Sequence, residues 1–119
     1  MNCEEMKART KTYANRVVKL CSALPGNWIA QTLVKQLLGS GASAGANYRA
    51  VCRVKLNSDF INKLRIVEEE CDESLFWMEL LVDDHFIRLP RLAGLMKEAG
   101  EILAIVVSSA KTARTSRSA

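Results

Sequence analysis

Phe60, Leu64, Val67, Cys71, Leu75, Met78 and Val82 follow one another at spacings of four and three, without a break, over 23 residues. Only a helix, turning about 100° per residue, brings such a set onto one face. A helix with one apolar face needs other elements to cover it. No segment of the chain alternates with period two, so those elements are helices rather than a sheet.

The other long segments carry the same period. Met6, Tyr13, Val17, Leu20 and Leu24 share a face in a first helix, about 4–24, which Pro25-Gly26 stops. Asn27 caps a second, about 27–53, with Ala30, Leu33, Val34, Leu37, Gly41, Ala44, Tyr48 and Val51 on one side. Its middle, Gly39 to Ala46, has the composition of a flexible linker, yet the apolar phase crosses it without slipping. A continuous helix is therefore predicted, with Gly41 and Gly45 against a neighbouring helix that offsets the roughly 1 kcal/mol each glycine costs. Ser58 and Asp59 suit the start of the third helix, about 58–84, and Asp83-Asp84-His85 closes it. The fourth, about 89–109, opens at Pro90 and carries Leu92, Leu95, Ala99, Ile102 and Val106. Residues 110–119 are small, polar and basic, and disorder is expected there. The expectation is an all-α protein, a single antiparallel up-down four-helix bundle in one domain over 1–119.

A composition of 49% apolar and 25% charged residues, with 6 Gly and 2 Pro, excludes a disordered chain. No apolar run reaches the ~18 residues of a membrane span, and the acidic start is not a signal peptide. Cys3, Cys21, Cys52 and Cys71 are widely spaced and form no C-x-x-C, the pattern of reduced thiols buried in helices. A cytoplasmic location follows as an expectation.

No motif assembles an enzyme or a cofactor site. His85 is the single histidine, the Glu-x-x-His pairs of bundle metal sites are missing, and neither phosphate-loop fingerprint occurs. The readings are no catalytic residue, no metal and no cofactor. Asn47, at the margin of the second helix's apolar face, is expected to meet Glu70 or Glu73 of the facing helix. Phe76, Trp77 and Leu80 project to one side of the third helix's core stripe, more apolar surface than one small bundle buries. They are the candidate interface of a homo-oligomer.

Charge is unevenly placed. Lys7 to Arg65 holds eleven basic residues and one acid, whereas Ile66 to Glu101 holds ten acids and three bases. The two halves can neutralise each other within the fold or between subunits. The basic half can instead meet phosphates, with Lys7, Lys11, Arg16, Lys19, Lys35, Arg49 and Arg53 as the candidate nucleic-acid contacts.

Three stretches resemble a known bacterial family: Gly41-Ala-Ser-Ala-Gly-Ala-Asn-Tyr-Arg49, Ser58-Asp-Phe-Ile-Asn-Lys-Leu64, and Glu70-Cys-Asp-Glu-Ser-Leu-Phe-Trp-Met-Glu-Leu-Leu81. It is the four-helix bundle family encoded within intervening sequences of large-subunit ribosomal RNA genes. The resemblance spans about residues 10–109. The family's small-residue run matches Gly41 to Gly45 and its paired glutamates match Glu70 and Glu73. An acid it carries after the Asn-Tyr-Arg stretch is replaced by Ala50 and Val51. The resemblance implies an antiparallel bundle assembled as a ring-like homopentamer, with no catalytic reaction. The bundle is also similar in fold to the accessory variability determinant of diversity-generating retroelements, a basic pentamer that binds a reverse transcriptase and nucleic acid. The functional expectation is thus a non-enzymatic oligomeric scaffold or adaptor for RNA, DNA or a nucleic-acid-handling protein such as a reverse transcriptase. The alternative is a purely structural or protein-interaction module.

Overall fold

The computed structural model describes residues 2–24 and 26–118, except the side chains of residues 117 and 118. Four helices follow one another: α1 (Cys3–Ser22), α2 (Trp28–Val51), α3 (Asn57–Asp83) and α4 (Leu89–Ser118). Each packs on its neighbour in sequence, and α4 closes back on α1 much more lightly. Cys52, just past α2, reaches the Cys3 carbonyl at the start of α1. Asn57, at the start of α3, donates to the Ala113 carbonyl near the end of α4 at 3.0 Å. Neighbouring helices therefore run in opposite directions, in a rod of 52 × 21 × 21 Å.

Local chemistry sets the helix ends. Asn2 accepts from the Glu5 amide and Asn27 from the Ala30 amide, each capping its helix as the residue type favours. The cap position of α3 is Leu56 instead of the expected Ser58, with no side-chain bond. Its far end is a Schellman turn: the Phe86 amide donates to the Leu81 carbonyl and the His85 amide to the Val82 carbonyl. His85 occupies the left-handed position there, at φ 65°, where glycine is the usual residue. Pro25, expected to stop α1, lies outside the described residues.

All four helices contribute to the core. Tyr13 and Val17, Leu37 and Ala44, Leu64 and Met78, Leu92 and Ile102 are among its fully buried members. On α3 the innermost seam is Ile61, Leu64, Val67, Cys71, Ser74, Met78 and Leu81. Ser74 holds the central place that the sequence assigns to Leu75, which is half-buried beside it. Leu64, Cys71 and Met78, like Val67, Ser74 and Leu81, repeat every seven residues. Such a repeat stays on a neighbour's line, where a step of four drifts off it.

The glycine-rich stretch is helical throughout. A Cβ on Gly41 would lie 2.9 Å from both Val17 methyls, and one on Gly45 would lie 3.1 Å from the Thr10 carbonyl oxygen. These positions let α1 settle directly onto α2.

The expected disorder after 109 is not found between 110 and 118. There α4 continues, because Ala110 and Ala113 carry the buried line of Ile102 and Val106 onward. Ala119 lies outside the described residues.

Candidate functional site

Where Gly45 of α2 lies against Thr10 and Ala14 of α1, small side chains leave an open notch of about 180 Å³. Ala14, Ala42, Gly45 and Ala46 form its floor, and Lys7, Lys11 and Arg49 its rim. Lys7 and Lys11 are one turn apart and so share a side of α1. Lys7 pairs with Glu4 at 3.2 Å. Lys11 and Arg49 are exposed, and neither has an acidic partner within 4 Å among the described residues. The notch therefore has the sign and the space to receive an oxyanion.

The other candidate cations do not join it. Arg16 and Lys19 line a separate groove on the α1–α4 side, with Pro90, Arg91 and Gly94. Lys35 is exposed on α2, fourteen residues before Arg49 and so about 21 Å along the axis. Arg53 is exposed just beyond the α2 end of the notch. Arg9 is bound by acids instead. It forms a two-point contact with Glu98, Nε to Oε2 at 2.8 Å and Nη2 to Oε1 at 2.7 Å, and reaches Glu101 at 3.4 Å. That contact raises the Arg9 pKa and holds the Glu98 carboxyl below its ordinary value.

On α3, Phe76 is 50% exposed and meets Trp77 edge-on, ring centroids 5.1 Å apart. Trp77 and Leu80 are half-buried, and Trp77 packs against the core. The aromatic most open to solvent is Trp28 at 76%, which the sequence reading did not single out. Its signal was present: Trp28 lies two residues before buried Ala30, about 200° around the helix from the core line.

The expected contact of Asn47 with Glu70 or Glu73 is not formed. Its Nδ2 donates to the Ser43 carbonyl one turn back, at 2.8 Å, which satisfies the amide within its own helix. Glu70 is half-buried, and burial with Glu73 and Glu69 nearby raises its carboxyl above the usual range against the pull of the Ser43 hydroxyl. Glu73 is exposed. A buried polar contact that does cross between α2 and α3 is Ser40 with Ser74, at 3.2 Å between hydroxyls. Buried Tyr13 stands beside it, its hydroxyl without a well-formed hydrogen bond.

Only Cys71 is buried, its thiol pushed up to about 12 by that burial, whereas Cys3, Cys21 and Cys52 are half-buried. Among the described residues no three His, Cys, Asp or Glu side chains gather as a metal site. No described helix is long and apolar enough to cross a membrane.

Residues 4–108 match the family described as 23S rRNA-intervening sequence protein, a description that names no reaction. A crystal structure from Bacteroides thetaiotaomicron, of a protein of unknown function in the S23 ribosomal protein family, is similar at a TM-score of 0.85 and 32% identity. The match covers 93% of this chain and 99% of that one. No curated protein matches the sequence. A bundle of this geometry, matched over nearly its whole length, belongs to the 23S rRNA-intervening sequence protein family.

Proposed function

We propose that the protein is a non-enzymatic, self-associating adaptor of the cytoplasm that holds the phosphate backbone of RNA or DNA along the α1–α2 face. The observation that carries this reading is the notch itself, where Lys7, Lys11 and Arg49 converge from two helices over a floor of small residues. Cations so placed neutralise phosphates and release counterions without reading bases, so binding weakens steeply with salt. Arg16 and Lys19 extend the contact around α1, and Lys35 and Arg53 along α2. The family description, which ties its members to intervening sequences of ribosomal RNA, favours RNA as the first nucleic acid to try.

The test is fluorescence anisotropy with a structured RNA at ~50 and ~200 mM salt. Binding should fall with salt, and Lys11→Glu with Arg49→Glu should weaken it at least tenfold while Lys35→Glu does less. Micromolar protein that leaves RNA and DNA free at low salt overturns the reading. In that case the exposed Trp28 and Phe76 favour the second one, a protein-interaction module. A reverse transcriptase is the partner to try first, and a crosslinking pull-down that returns one protein without nucleic acid would establish that class of role.

A further inference from the structure

Because α1 and α2 are antiparallel neighbours, the first residue of α1 lies beside the residue that caps the end of α2. Both are cysteines. The Cys52 sulfur lies 3.5 Å from the Cys3 carbonyl oxygen, although the two residues are 49 apart in sequence. The Cys3 thiol is also the neighbour that acts on the Cys52 thiol and on the Tyr48 hydroxyl, so the three groups form one cluster. The remaining thiols stand apart: Cys71 is buried in the core, and Cys21 donates to the Val34 carbonyl at 3.7 Å. Cys3 and Cys52 are only half-buried, so a small reagent can reach them. Each sits at a helix terminus, where the backbone adjusts more easily than in mid-helix toward the ~3.5–4.5 Å Cβ separation of a disulfide.

We infer that Cys3 and Cys52 are a modification site, a dithiol that a disulfide oxidant of the glutathione class converts to an intramolecular disulfide joining α1 to α2. One cysteine, having lost its proton, attacks a sulfur of glutathione disulfide. The glutathione thiolate that leaves takes up a proton. The second cysteine then loses its proton, attacks the mixed disulfide and expels the second glutathione. Two protein S–H bonds and one glutathione S–S bond become one protein S–S bond and two glutathione thiols. The protein is oxidised by two electrons and glutathione is reduced by two. Burial pushes the Cys52 thiol up to about 12, which slows its step at neutral pH, so the reaction is read at equilibrium. Lys7 follows Cys3 by one turn and Arg49 precedes Cys52 by three residues, so the bond would fix one end of the notch rim. The chemistry is independent of whether nucleic acid binds there.

The experiment equilibrates the full chain in glutathione redox buffers, alkylates the remaining thiols and maps the products by mass spectrometry. The expected product is a monomeric chain lighter by two hydrogens, with Cys3 and Cys52 in one linked peptide and Cys21 and Cys71 alkylated after unfolding. Closing so long a loop should raise the Tm by more than about 5 °C, reversed by dithiothreitol. Cys3→Ser and Cys52→Ser should each abolish both the link and the shift, whereas Cys21→Ser should abolish neither. Cys52→Ala replaces Cys52→Ser if helix content shows that the serine variant does not fold. The inference is overturned if the pair stays free in the most oxidising buffer, if it carries only glutathione adducts, or if its links join separate chains.

Discussion

Gly39 and Gly41 are two residues apart on α2, yet a methyl group added at each would meet opposite surroundings. At Gly39 it would find open space, and at Gly41 both methyls of Val17 at 2.9 Å. Val17 is β-branched and fully buried, so it has no alternative rotamer to retreat into. Gly39→Ala should therefore raise stability by about 1 kcal/mol through helix propensity alone. Gly41→Ala should lower it by about 1–3 kcal/mol through overpacking. Urea denaturation of the two variants checks the opposite signs. That Gly41 faces a neighbour was legible, because the apolar phase passes through it. That Ser74 rather than Leu75 lies innermost was not, because the choice depends on the line of the neighbouring helix. Lys7, Lys11 and Arg49 were each legible as cations, but their convergence required knowing which flanks α1 and α2 turn toward each other.

Between elements, the lightly packed α1–α4 side is joined by Arg9 and Glu98, 89 residues apart, a pairing that no local pattern announces. Both side chains are mostly shielded, at 24% and 17% exposure, and the two-point geometry makes this a stronger pair than an open surface bridge. Glu98→Gln should cost about 1 kcal/mol at pH 7, a figure kept low because solvent still reaches the pair. Glu98 has a lowered pKa in the folded protein, so the pair's contribution is complete above the ordinary glutamate pKa of about 4.3 and is lost as the pH falls through the folded value. Thermal denaturation should therefore show the wild-type and Glu98→Gln midpoints converging as the pH is taken below about 4. The same helix shows why its last part escaped the sequence reading. Ala110 and Ala113 bury too little surface to stand out as an apolar line, although they continue one.

For the whole molecule, the basic α1–α2 half and the acidic α3 give every copy two unlike surfaces. Half-exposed Phe76 sits on the acidic one, where Glu73 and Glu79 are also exposed, and Arg49 and Arg53 are exposed on the basic one. A contact between unlike surfaces repeats around a ring, in keeping with the proposed self-association. Phe76→Glu should shift the mass measured by light scattering toward monomer and leave helix content unchanged. A wild-type protein that is monomeric at tens of micromolar overturns the self-association, and with it the ring. The up-down order has a further consequence, for time rather than structure. All the extensive packing joins helices adjacent in sequence, and only the light α1–α4 seam joins the distant ends of the chain. Chains built from such near-neighbour contacts fold in microseconds to milliseconds, because little loop entropy is lost before packing begins. The chain can thus assemble as helical hairpins in succession, and the α1–α4 seam, with Arg9 and Glu98 across it, is the one that must bring its distant parts together.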